Sequence, residues 1–136
     1  MKRSFRCPKC NTALNPGTKV IFTAEHGEAR GLMLLSPELG NYRVVCDESF
    51  PLAQGAKYLF RCPSCRADLT SPENDNLVEI VLRDERGKSA KITFSRVFGE
   101  HATFMHTAHG VRRFGEHAEK YVPANFFGAG ETEGSS

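Results

Sequence analysis

The chain has 136 residues, of which 40% are hydrophobic and 25% charged, with a formal net charge of +2. That length fits one domain, or one small unit fused to another. Its longest apolar run, Gly31 to Leu35, is far too short to span a bilayer, and no apolar stretch follows the basic start Met1-Lys2-Arg3. Neither a membrane span nor a signal peptide is therefore expected, and the cytoplasm is the expected compartment.

In chain order, the first signal is Phe5-Arg6-Cys7-Pro8-Lys9-Cys10, and it returns as Phe60-Arg61-Cys62-Pro63-Ser64-Cys65, each followed by a leucine, Leu14 and Leu69. Between the two copies the sequence reads as strands: Lys19–Thr23, a turn at His26-Gly27-Glu28, a return strand Ala29–Leu35 broken by Ser36-Pro37, then Tyr42–Cys46 and Lys57–Arg61. Thr70 to Asp75 is a polar linker. Val78, Ile80 and Leu82 then alternate with polar positions, as do Ala90, Ile92 and Phe94, with Asp84-Glu85-Arg86-Gly87 between them. This is the strongest hairpin pattern in the chain. A second hairpin is expected from Thr103–His106 and Val111–Phe114, and a short helix over Glu116–Val122, stopped by Pro123. Residues 128–136 are small and polar and read as a disordered tail.

Cys-x-x-Cys suits a metal because a tight turn places two sulfurs on one edge of a tetrahedron, and Pro8 and Pro63 preset the turn's φ. Asn11, after the first turn, tolerates a left-handed backbone; Arg66, after the second, does so less readily. The competing reading, a redox dithiol, needs a helix after the motif. Asn11-Thr12-Ala13-Leu14-Asn15-Pro16-Gly17 cannot supply one. Cys7, Cys10, Cys62 and Cys65 are thus expected to hold one structural Zn²⁺, with iron the lesser alternative, in a closed shell that leaves no position for substrate. Four thiolates and one Zn²⁺ add −2, bringing the charge to about zero. Cys46, on an apolar strand, reads as a small buried side chain.

The paired Cys-Pro-x-Cys knuckles resemble zinc-ribbon proteins and, more loosely, the bacterial CpXC domain, whose function is not established. The likeness covers about residues 4–69. It implies metal ligation by the four cysteines and no activity. The fold expected is mainly β: a zinc-ribbon-like unit with a strand-rich insert (1–70), then a small antiparallel β unit ending in a short helix (71–127).

A second internal repeat, Phe98-Gly99-Glu100-His101-Ala102 against Phe114-Gly115-Glu116-His117-Ala118, carries two of the five histidines. One reading is a second metal site drawn from His101, His106, His109 and His117, with a position open for water and hence a metal-dependent enzyme. The favoured reading is that the chain makes the same turn twice, with Phe98 and Phe114 anchoring the core and the glycines allowing the turn. No nucleophile elbow or phosphate loop is present in the sequence.

Lys2, Arg3, Arg6, Lys9, Lys57, Arg61 and Arg66 surround the knuckles, so contact with nucleic acid is one expectation. Ten Lys/Arg against six Asp/Glu in residues 1–70 is, however, a modest excess for such a binder. The cations have a local use instead, offsetting a negative metal centre. The expectation carried forward is a non-enzymatic binding or regulatory module whose partner is another protein.

Overall fold

The computed structural model describes residues 4–50 and 52–121. Among the described residues, nine strands form two antiparallel sheets. β1 (Ser4–Arg6), β6 (Leu77–Arg83), β7 (Ser89–Ser95), β8 (Thr103–Thr107) and β9 (Gly110–Phe114) make the larger sheet, in the order β1-β6-β7-β8-β9. β2 (Val20–His26), β3 (Ala29–Leu35), β4 (Val44–Cys46) and β5 (Leu59–Arg61) make the smaller, in the order β4-β3-β2-β5.

The hairpin expected from period-two alternation is β6–β7, and its apolar residues are register partners. Val78 lies opposite Phe94, Ile80 opposite Ile92 and Leu82 opposite Ala90. On β2, the alternation puts Val20, Phe22 and Ala24 inside. Packing the two inner faces together makes the core. Phe22 and Phe60 from the small sheet meet Phe94 from the large one, with ring centroids 5.2–5.7 Å apart, two of the three contacts edge-on. A smaller cluster, Leu77, Ala102, Phe104 and Ala118, forms the second patch of buried apolar residues.

Some boundaries differ from the sequence reading. β2 runs on to His26, because its pairing with Ala29 closes the hairpin directly. β4 starts at Val44 rather than Tyr42, whose hydroxyl is engaged instead with Thr103 Oγ1 (2.9 Å) and the carbonyl of Phe114 (3.1 Å). The helix expected over Glu116–Val122 is, among the described residues, one 3-10 turn at Ala118–Tyr121. The tail at 128–136 lies outside the described residues, as do Lys2 and Arg3.

β1 matters most for the site. It comes from the start of the chain, yet it pairs with β6, Phe5 opposite Leu82, and so edges a sheet otherwise built from residues 77–114. Its counterpart β5 edges the other sheet, with Phe60 opposite Ala24. Backbone pairing and the core therefore cross the division expected near residue 70.

Candidate metal centre

Each knuckle begins where one of these edge strands ends. Cys7 follows β1 of the larger sheet and Cys62 follows β5 of the smaller. The two turns are local copies, fifty-five positions apart. Cys7 N donates to Thr12 O and Cys62 N to Ala67 O; Asn11 N donates to Cys7 O and Arg66 N to Cys62 O. Leu14 N donates to Phe5 O, and Leu69 N to Phe60 O. Both turns close on a left-handed residue, Asn11 at φ 65° and Arg66 at φ 68°.

In this geometry the amides point at sulfur. Lys9 N and Cys10 N lie 3.3 and 3.4 Å from Cys7 Sγ, and Ser64 N and Cys65 N lie 3.3 and 3.5 Å from Cys62 Sγ. Such donors stabilise a thiolate, not a thiol. Cys7 and Cys62 are buried, whereas Cys10 and Cys65 are exposed.

All four sulfurs lie within 4.8 Å of one another. Cys7 and Cys65 are 3.8 Å apart, Cys10 and Cys62 3.7 Å. A tetrahedron with metal–thiolate bonds of about 2.3 Å has edges of about 3.8 Å. The cysteines are free rather than bridged. Burial pushes the Cys7 thiol up to about 12, while hydrogen bonds from the Thr12 side chain and backbone pull Cys10 down to about 6. Four adjacent thiolates, two of them buried, need a cation among them to coexist. The cluster can hold a metal ion, and no side chain beyond the four cysteines joins it among the described residues.

Compared with protein-family models, curated proteins and solved structures, the chain matches none. The likeness to zinc ribbons thus rests on the two knuckles themselves.

The flanking cations divide in two. Arg6 Nη1 donates to Asn11 O and Arg61 Nη1 to Arg66 O, each at 2.9 Å, bracing its own knuckle. Arg61 Nε also pairs with Glu25 at 3.2 Å. Lys9, Lys57 and Arg66 are exposed. Cys46 stands opposite Met33 and packs against the core, apart from the metal cluster. Sequence reading missed Thr12, whose Oγ1 lies 3.0 Å from Cys10 Sγ; a hydroxyl two positions after a ligand is the signal that was present.

The histidines group differently from the sequence expectation. His101, Glu116 and His117 come together, with Glu116 Oε2 at 3.7 Å from His101 Nδ1 and 3.6 Å from His117 Nε2. His106 and His109 do not join them. His106 Nε2 is 3.2 Å from Thr93 Oγ1 across β7 and β8, and His109 is exposed in the β8–β9 turn. The cluster is also poorly suited to a cation. His117 Nδ1 accepts the His101 backbone N–H at 2.9 Å, which places the ring proton on Nε2, the nitrogen facing Glu116. A metal-binding imidazole shows the reverse arrangement, donating through the nitrogen away from the ion.

Among the described residues, no helix is long and apolar enough to cross a membrane.

Proposed function

We propose that the chain is a non-enzymatic module, stabilised by one zinc ion in a zinc-ribbon-like site, that acts by binding another protein in the reducing cytoplasm. Zinc is preferred over iron because a closed four-thiolate shell in a domain of this size is the usual structural zinc site. In that shell the ion holds an edge strand of each sheet, so it serves the fold rather than a reaction.

The observation carrying the partner class is the outer face of the smaller sheet. Leu32 is 53% exposed and Val45 50%. Ile21, Leu34 and Val45 stand side by side across three strands, with Leu32 beside Thr23 in the adjacent row. Arg61 ends that row on the other side of Thr23, and next along the sheet come the charged residues Glu25 and Arg30. An apolar centre with a charged rim is the anatomy of a protein-binding face.

Nucleic acid is the weaker reading, because Arg6 and Arg61 each commit an Nη1 donor to a knuckle carbonyl and an Nε donor to a neighbouring side chain, Ser4 and Glu25. The test is to capture partners from the native host with the wild-type chain and with Leu32→Glu/Val45→Glu. The reading requires the double variant to keep its metal and lose the captured protein. Equal capture by both chains, or salt-sensitive retention on DNA or RNA by both, would overturn it.

A further inference from the structure

A cavity of about 530 Å³ lies between the two sheets and opens beside the second internal repeat. Its deep wall is apolar and largely aromatic: Phe22, Phe60 and Phe94, with Met33, Leu35 and Ile92 around them. Its mouth lies between the β3–β4 loop, where Glu38 and Gly40 are exposed, and the clasp at His101, Glu116 and His117. The Tyr42 ring stacks on His101 at 4.5 Å and makes one lip. Closed and dry, a void this large would cost about as much as the whole net stability of a small domain. Its volume falls instead in the range of small-molecule sites, which are mostly apolar with a few polar groups at one end.

The charge of those polar groups selects the ligand. Three carboxylates line the cavity, from Glu38, Glu100 and Glu116, and no lysine does so among the described residues. One arginine, Arg96, lines it too, but its Nε donates to Tyr58 O and its Nη1 to Thr70 Oγ1 and Asp75 O. Glu100 accepts a 2.6 Å hydrogen bond from Ser95 Oγ, which fixes that carboxylate near the entrance. Aromatic faces behind an acidic mouth favour a molecule with a flat apolar body and a cationic end.

We infer that the cavity between the sheets is a binding site for a small aromatic amine, its ring against Phe22, Phe60 and Phe94 and its ammonium group among Glu38, Glu100 and Glu116. This site is independent of the protein-binding face, which lies on the opposite side of the smaller sheet.

The experiment is isothermal titration of the metal-loaded full chain with three compounds of one ring system: 2-(1-naphthyl)ethylamine, 1-ethylnaphthalene and 1-naphthylacetate. The amine should bind saturably, one per chain, at least tenfold tighter than the carboxylate, with the neutral compound between. Replacing the three carboxylates together (Glu38→Gln, Glu100→Gln, Glu116→Gln) should erase the preference for the amine. Leu35→Trp, which fills the cavity, should weaken all three compounds at least tenfold. Should that variant not fold, the triple glutamine variant still decides the charge preference. Absence of saturable binding, equal binding of amine and carboxylate, or a folded Leu35→Trp chain that binds as before would each overturn the assignment.

Discussion

His101 and His117, which hold the same place in the two copies of the Phe-Gly-Glu-His-Ala repeat, hold each other. The backbone N–H of His101 donates to His117 Nδ1 at 2.9 Å, and the backbone N–H of His117 donates to the carbonyl of His101 at 2.9 Å. The repeat is thus a self-docking clasp that joins the β7–β8 connection to the segment after β9. Gly99 and Gly115 both adopt positive φ, 91° and 97°, but the turns differ: Glu100 N donates to Val97 O in the first copy, whereas Ala118 N donates to Gly115 O in the second. The anchoring differs between copies. Phe98 packs against the core, whereas Phe114 is half-buried beneath the Arg112 guanidinium, 5.4 Å from its ring centroid.

The two glycines should differ sharply in their tolerance of alanine. A Cβ at Gly115 would run into the carbonyl of His101, which is backbone held by the clasp itself. A Cβ at Gly99 would meet the side chain of Gln54, which can swing aside. Gly115→Ala should cost more than about 3 kcal/mol, and Gly99→Ala about 1 kcal/mol from the backbone alone. Urea titration followed by circular dichroism measures both. Equal costs would mean that the clasp yields as easily as a free side chain.

How much of this was legible follows from where each signal lies. The β6–β7 hairpin was readable because Val78, Ile80, Leu82, Ala90, Ile92 and Phe94 carry their period in the sequence itself, and the bounds of β3 at Ala29–Leu35 followed from a turn and a proline. The knuckles were readable down to the left-handed residue at Asn11, whereas Arg66, a residue that takes that backbone less readily, adopts it too. What could not be read was pairing set at long range. β1 is three residues long, too short to show a period, and its partner β6 lies more than seventy positions away. Likewise, His101 and His117 meet because two turns dock, whereas spacing alone gave His106 and His109 equal standing with them.

Metal loading should dominate stability. Apparent binding free energies for structural zinc, roughly 10–16 kcal/mol at neutral pH, match or exceed the net stability of a small domain. Because Cys7 and Cys62 end edge strands of different sheets, chelation should separate the sheets rather than fray a loop. Elemental analysis should give one zinc per chain in the wild type and in His101→Ala/His117→Ala, and none in Cys7→Ser/Cys62→Ser. Cys46→Ala should keep its metal. A chain that stays folded in strong chelator would contradict this account.

Arg66 offers a test in the opposite direction. It sits at φ 68°, where a residue with a Cβ is strained, and its carbonyl, not its exposed side chain, is what Arg61 grips. Arg66→Gly should relieve that strain and leave the 2.9 Å contact intact, raising stability by about 1 kcal/mol even after glycine's extra freedom in the unfolded chain. Arg66→Val should be destabilising. Thermal melts of the metal-loaded chains compare the three, and a glycine variant that melts lower than wild type would count against a strained knuckle.

Acid should expose the cost of burying His106. Burial pushes its ring down to about 4, with Lys91 adding to the shift and Glu73 opposing it. The unfolded ring titrates near 6.5. Between those values the unfolded chain takes up a proton that the folded chain refuses, so stability falls as pH drops from about 6.5 to about 4 and this contribution levels off below. The full shift corresponds to about 3 kcal/mol, and residual solvent contact of the ring reduces that to roughly 1–2 kcal/mol. His106→Gln keeps a polar partner for Thr93 and removes the titration. Denaturant unfolding of both chains at pH 7 and pH 5 isolates the effect, because protons competing for the cysteines act on each chain alike. The wild type should lose more stability than the variant over that interval; parallel losses would show that His106 accepts its proton without resistance from the fold.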